Sequence, residues 1–204
     1  PFPLPPLPQQ KQIVAILDKA FAAIDTAKVN AEQNLQNAKE LFESISLQKF
    51  TDGINIKKWK LEKIEKYSQV VVGYVGPISK EYTNDENDVL LLSTKNISDE
   101  GISLKKLTRI NHTFHNKQKK SQLLPGDILV ARHGKSGQAA VIPDSMKAAH
   151  ALNVIIIKKS ETILSEYIAF LLNSGVLSKI QDSKGGSVQE IINTIVIKNL
   201  IIPV

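Results

Sequence analysis

Between Gln9 and Ser46 the chain holds neither Gly nor Pro. Apolar or small residues return there at alternating steps of four and three: Ile13, Leu17, Ala20, Ile24, Ala27, Ala31, then Asn34, Ala38, Leu41 and Ile45. This is an a/d heptad seam sustained over about five heptads. Phe21, Leu35 and Phe42 widen it on one side, and alanines in its centre let a partner helix come close. Asn34 is polar within the seam and suited to fixing register. At roughly 1.5 Å per residue the helix is about 55–60 Å long. The stripe exceeds what the rest of the chain would cover alone. Part of it is therefore expected to pack on another long helix, the alternative being a helix folded back on its own domain.

The segments on either side obey different rules. PFPLPPLP, with five prolines in eight residues, forbids helix and favours an extended path, with Pro8 placed in the first turn of the helix that follows. Thr51–Asn55, containing Asp52 and Gly53, reads as the end of that helix. Beyond it, Trp59–Ile64 alternates like a short strand. Val70–Val75, Val89–Leu92, Ile128–Ala131, Ala139–Ile142 and Val154–Ile157 are apolar runs of strand length, and the last three look like buried strands. Pro125-Gly126-Asp127 is a turn. Ser165–Asn173 reads as a helix capped by Ser165 or Thr162 and stopped near Gly175, Gly185-Gly186-Ser187 as a flexible loop, and Val196–Ile202 as a last strand. The pattern predicts an α+β protein: a long coiled-coil helix over residues 1–48, followed by a mixed α/β domain over 49–204.

Composition narrows the function classes. The apolar share of 42% supports a core, and the absence of cysteine excludes disulfides and thiolate metal sites. No segment has the length and apolarity of a membrane span, and the start of the chain lacks a signal-peptide pattern, so a cytoplasmic protein is expected. The chain opens on Pro1 rather than Met, which reads as a piece of a longer protein.

The formal charge of +6 is uneven. Lys11, Lys19, Lys28 and Lys39 are outweighed by Asp18, Asp25, Glu32, Glu40 and Glu43 in the helical part. Lys105, Lys106, Arg109, Lys117, Lys119, Lys120, Arg132 and Lys135 face only Asp127 within 104–135. One stretch thus carries the whole excess, and a polyanion is its natural partner.

Catalytic motifs fail one by one. His133-Gly134-Lys135-Ser136 resembles the end of a phosphate-binding loop, but Leu129 stands where that motif needs glycine, and the segment lies between strands rather than before a helix. It reads better as a basic turn. His112 and His115 have no third metal ligand near them and are expected on the basic face. Neither paired carboxylates nor a nucleophile elbow is present. With no cofactor and no metal expected, the chain reads as a binding module rather than an enzyme. Two classes remain, a DNA-binding protein and a coiled-coil assembly module with a basic protein-docking domain.

Five segments, in order, carry a resemblance. Pro3–Leu17 (PLPPLPQQKQIVAIL) resembles the helical-region signature of the specificity subunits of type I restriction–modification enzymes. Trp59-Lys60-Leu61 resembles the start of their recognition domain. Gly126-Asp127-Ile128-Leu129-Val130 with Gly134 and Gly137 resembles their "GDIL…G…G" segment. Gly186-Ser187-Val188-Gln189 with Ile192 resembles a late loop, and Lys198–Pro203 the exit strand. The resemblance implies one target-recognition domain and one conserved spacer helix of a subunit that carries two of each. It implies double-stranded DNA as ligand, methyltransferase subunits and through them a restriction subunit as partners, and antiparallel pairing with the other half of the subunit or a second copy. Side chains expected to meet DNA are Lys117, Lys119, Lys120, Lys135 and His115 on the basic stretch. Arg109, Arg132, Asn111, Ser136 and Gln138 are the candidates for directional hydrogen bonds. Tyr74, Lys80 and Tyr82 form a second polar loop, and Lys184 and Ser187 belong to a third.

Overall fold

The computed structural model describes residues 4–55, 59–105, 107–134, 136–177 and 192–204. Lys106, Lys135, Lys184 and Ser187, with the glycine loop at 185–187, lie outside the described residues. The chain divides into two compact units, Pro1–Ile45 and Ser46–Val204.

Helix α1, Leu7–Asn55, makes up the first unit and its last turns open the second. It starts where the proline run ends: Gln10 N donates to Pro6 O and Gln10 Nε2 to Pro5 O, so one glutamine ties the extended segment to the first turn. Along the seam Ile13, Leu17, Ile24, Leu41 and Ile45 are all about half exposed or more. The alanines and Asn34 between them are exposed as well.

The helix does not end at Thr51. It continues to Asn55 because its last turns belong to the core of the second unit. Ser46 and Phe50 are buried. The Phe50 ring lies 5.7 Å from Trp59, 6.2 Å from Tyr167 and 6.3 Å from Phe170, centre to centre. A Cβ at Gly53 would fall 2.6 Å from Trp59 Cδ2. The residue that reads as a helix breaker is the one that admits the indole, and packing outweighs the roughly 1 kcal/mol propensity cost of a helical glycine.

The second unit contains strands β1 (Leu61–Lys63), β2 (Val70–Val72), β3 (Tyr82–Thr83), β4 (Val89–Leu92), β5 (Ile97–Ser98), β6 (Gly101–Ile102), β7 (Thr108–Ile110), β8 (Gln122–Leu123), β9 (Ile128–Val130), β10 (Ala139–Val141), β11 (Ala149–Ala151), β12 (Ile155–Ile157) and β13 (Ile201–Pro203). Its further helices are α2 (His112–Lys117), α3 (Ser165–Asn173) and α4 (Thr194–Asn199). One antiparallel sheet has the order β10-β9-β12-β2. The other has the order β3-β7-β4-β11-β8, with β4 and β11 parallel.

Burial follows strand alternation. Ile128, Val130, Ile155 and Ile157 turn to the face covered by Ile168 and Leu171 of α3, with Ile197, Leu200 and Ile202 in the same core. Leu129 and Ile156 turn the other way, into a core with Leu92, Leu123, Ala149 and Ala151 of the second sheet. The first sheet is thus covered on both sides, which is why its central strands are apolar without alternation. A third, smaller core of Ile78, Val89, Leu91, Ile110 and Phe114 lies under α2.

Asp127 fastens the layers. Its side chain is buried and meets Lys158 Nζ at 2.8 Å. Its carboxylate also accepts from Leu124 N and Lys159 N, each at 3.0 Å. Gly126 beside it has φ +85°, and its carbonyl accepts from Ser165 Oγ at 2.6 Å. The Gly-Asp pair is therefore structural. Because Ser165 is committed to this bond it does not cap α3, whose N-cap is Leu164 without a side-chain bond. The apolar run 196–202 is not one strand either. Asn193 Oδ1 accepts from Ile195 N and Val196 N and starts α4, and only Ile201–Pro203 remain as a strand, paired with β1.

Candidate nucleic-acid interface

The segment linking β7 to β8 carries three exposed lysines within four residues. Asn111 starts α2: its Oδ1 accepts from Phe114 N at 2.8 Å and its Nδ2 donates to Glu81 Oε2 at 2.8 Å. The short helix buries Phe114 and His115 and leads into a tight turn at Lys119–Ser121. Lys117, Lys119 and Lys120 are exposed there, at the carbonyl end of the helix, where cations are favoured. The other end is bounded by acid, with His112 Nε2 3.8 Å from Asp88 Oδ1. The one acid inside the basic stretch, Asp127, is neutralised internally by Lys158. The exposed lysines therefore face solvent without a carboxylate from their own segment.

A second group is joined to this one through contacts of ring and backbone. Tyr74 is half-buried, its ring edge-to-face on Phe114 at 4.9 Å and 83°. The carbonyl of Tyr74 accepts from Asn153 N at 2.9 Å, and Asn153 Oδ1 accepts from Arg132 Nη1 at 2.9 Å. Arg132 stands at the base of the β9–β10 hairpin, where Ala131 N donates to Gln138 O and Ser136 Oγ to Arg132 O. Gly134 and Gly137 take φ of +74° and +91°, backbone that favours glycine, and the segment links β9 to β10. Tyr82 and Lys80 are exposed on the strand and turn next to Asn111. Contacts thus run from Arg132 through Asn153 and Tyr74 to Phe114 of α2, the helix that leads into the turn holding Lys119 and Lys120.

Four candidates, His115, Asn111, Arg109 and Gln138, are used inside the fold. His115 does not join the basic face: it is buried, with Nδ1 3.2 Å from His150 Nδ1, and burial, then the nearby His112, lowers its pKa. His150 is fully buried on β11, and burial, then His115, lowers its pKa to about 4. Both rings are held neutral, one donating to the other. Asn111 spends its carbonyl and amide on the cap and on Glu81. Arg109, half-buried, donates from Nη1 to Asp88 O at 2.7 Å, which fixes it against the β4 strand start. Gln138 Nε2 donates to Asp99 Oδ1.

Sequence reasoning passed over Asn153 and His150. Asn153, between two apolar runs, was legible as a left-handed turn residue. His150 lies in an Ala-His-Ala run, and nothing local distinguishes it from an exposed histidine. Among the described residues no group of three or more His, Asp or Glu is placed to hold a metal ion, and no helix is long and apolar enough to cross a membrane.

An α+β domain with an exposed lysine cluster, and with an arginine at the base of a hairpin, has the make-up of a module that binds a polyanion. The chain belongs to the type I restriction modification DNA specificity domain family, whose model matches residues 77–204. Its fold is that of the HsdS subunit from Thermoanaerobacter tengcongensis, with 16% identity, a TM-score of 0.60, and 99% of this chain and 48% of that one covered. A chain from a structure on complex assembly and conformational transition of the type I R-M system is similar at 14% identity and TM-score 0.58, covering 98% of this chain and 48% of that one. The chain spans about half the length of these structures. No curated protein matches its sequence.

Proposed function

We propose that this chain is one half of a type I specificity subunit: residues 1–48 form a spacer helix, and residues 49–204 read one part of a bipartite site in double-stranded DNA. Membership of the DNA specificity domain family carries this reading. The lysine cluster at Lys117, Lys119 and Lys120 supplies salt-sensitive, sequence-independent attraction to phosphates. Tyr82, Lys80, Ser136 and Arg132, with Lys135, Lys184 and Ser187, contribute on the same ligand, and Arg132 is the residue suited to a guanine edge. Asn111, His115, Arg109 and Gln138 act by holding the face in shape.

In this account the chain has no chemistry of its own and works in the cytoplasm, directing methyltransferase subunits and through them a restriction subunit. The open heptad seam supports pairing of α1, antiparallel, with the helix of the other half or of a second copy. At roughly 1.5 Å per residue the part of α1 that precedes Ser46 is about 55–60 Å long, a length that matches roughly 16–17 base pairs. Titration of duplex DNA against salt tests the reading. Steep salt dependence together with preference for one sequence supports it. Salt-independent binding, or none, leaves the assembly-module alternative.

A further inference from the structure

We propose that Asn153 is the positioning residue for Arg132, holding its guanidinium in readiness for a base edge; this rests on the DNA-reading role proposed above for Arg132. Among the described residues Asn153 is the one non-glycine position with positive φ, at 52°. The chain crosses there from one sheet to the other within three residues. Leu152 N donates to Leu92 O, Asn153 N to Tyr74 O, and Gly73 N to Val154 O. Glycine would make that left-handed turn with less strain. What asparagine adds is an acceptor oxygen, and that oxygen is bonded to Arg132 Nη1 at 2.9 Å.

The arginine has a specific need of it. Arg132 Nε is buried and has no hydrogen-bond partner among the described residues, so the Asn153 bond orients the guanidinium. Arg132 also stands at the base of the β9–β10 hairpin, where Ser136 Oγ donates to its carbonyl. Reading by arginine depends on a fixed fork of donors, and a side chain that must be ordered on binding loses part of its gain to entropy. Through Tyr74 the same turn touches Phe114 of α2, so the reading group and the lysine cluster share one support.

The test uses the full chain with its methyltransferase partner, a duplex chosen by selection from random DNA, and single-base variants of that duplex. Arg132→Ala is expected to lower discrimination at one base position on the order of tenfold. Asn153→Gly keeps the turn, and is expected to lower discrimination at that same position to a similar extent. Affinity for unrelated duplex and thermal midpoint should stay unchanged. Asn153→Asp keeps an acceptor oxygen and should restore discrimination. If Asn153→Gly discriminates like the wild type while Arg132→Ala does not, the positioning role is overturned and the DNA-reading role stands. Equal loss in Asn153→Asp and Asn153→Gly also overturns it. Full discrimination in Arg132→Ala overturns both.

Discussion

Replacing His150 by Phe should remove about 2 kcal/mol of the acid sensitivity of the second unit between pH 7 and pH 5. His150 is fully buried, packed on Phe114 and His115, with its Nδ1 in the only kind of bond two neutral imidazoles make, one donating and one accepting. Its Nε2 is buried without a partner. Burial disfavours a charge there, and so does the neighbouring His115, which together lower the pKa from 6.5 to about 4. Because the folded-state value is depressed, the unfolded chain binds more protons between those two values. The stability contribution is complete above pH ~6.5 and is lost as the pH falls toward 4. At 1.36 kcal/mol per unit the full loss is on the order of 3 kcal/mol, of which about 2 kcal/mol falls between pH 7 and pH 5. Trp59 is the sole tryptophan and stacks near Phe50, so urea unfolding followed by its fluorescence reports on this unit. The His150→Phe variant should lose about 2 kcal/mol less than the wild type between pH 7 and pH 5. His133→Asn, at an exposed histidine, should behave like the wild type. If His150→Phe and the wild type lose equal stability on acidification, His150 is not a buried neutral group and the reasoning fails.

Further outcomes follow from other parts of the molecule. Asp127→Ala strands the Lys158 ammonium and two backbone donors, and should cost about 3–5 kcal/mol in urea unfolding; a loss near zero would contradict its structural role. Reversing Lys117, Lys119 and Lys120 to Glu should flatten the plot of log affinity against log salt by about 2.7, at roughly 0.9 per phosphate contact, and equally for all sequences. An unchanged slope would remove this cluster from the DNA face. Leu17→Asp with Ile24→Asp should turn a helix-paired dimer into a monomer in light scattering without altering unfolding of residues 46–204, and a dimer that survives would exclude the seam. With two identical halves paired about a two-fold axis, the preferred DNA site should be an inverted repeat.

Most of the core was legible because its pattern is local. Helix α3 has the bounds its sequence suggests, Ser165–Asn173, and the runs at 128–130, 139–141 and 155–157 are strands covered on both faces. Where local signals misled, a distant partner had taken the residue. Gly53 reads as a break, yet Trp59 fills the space its missing side chain leaves. Ser165 reads as a cap, yet it is bonded to Gly126 O, 39 residues away in sequence. Val196–Ile202 reads as a strand because both of its halves are apolar, yet Asn193 caps a helical turn first. At the candidate site the lysines were legible as charge alone. Which polar groups are free to meet DNA was not, since Asn111 and His115 are consumed by Glu81 and His150, contacts that no spacing announces.

The most direct measurement is selection of random duplex DNA by the chain together with its methyltransferase partner, followed by titration of the winning sequence. The account predicts enrichment of one defined sequence, bound more tightly than unrelated duplex by a margin that persists as salt is raised. Recovery of no preferred sequence, with all duplexes bound alike, would contradict it.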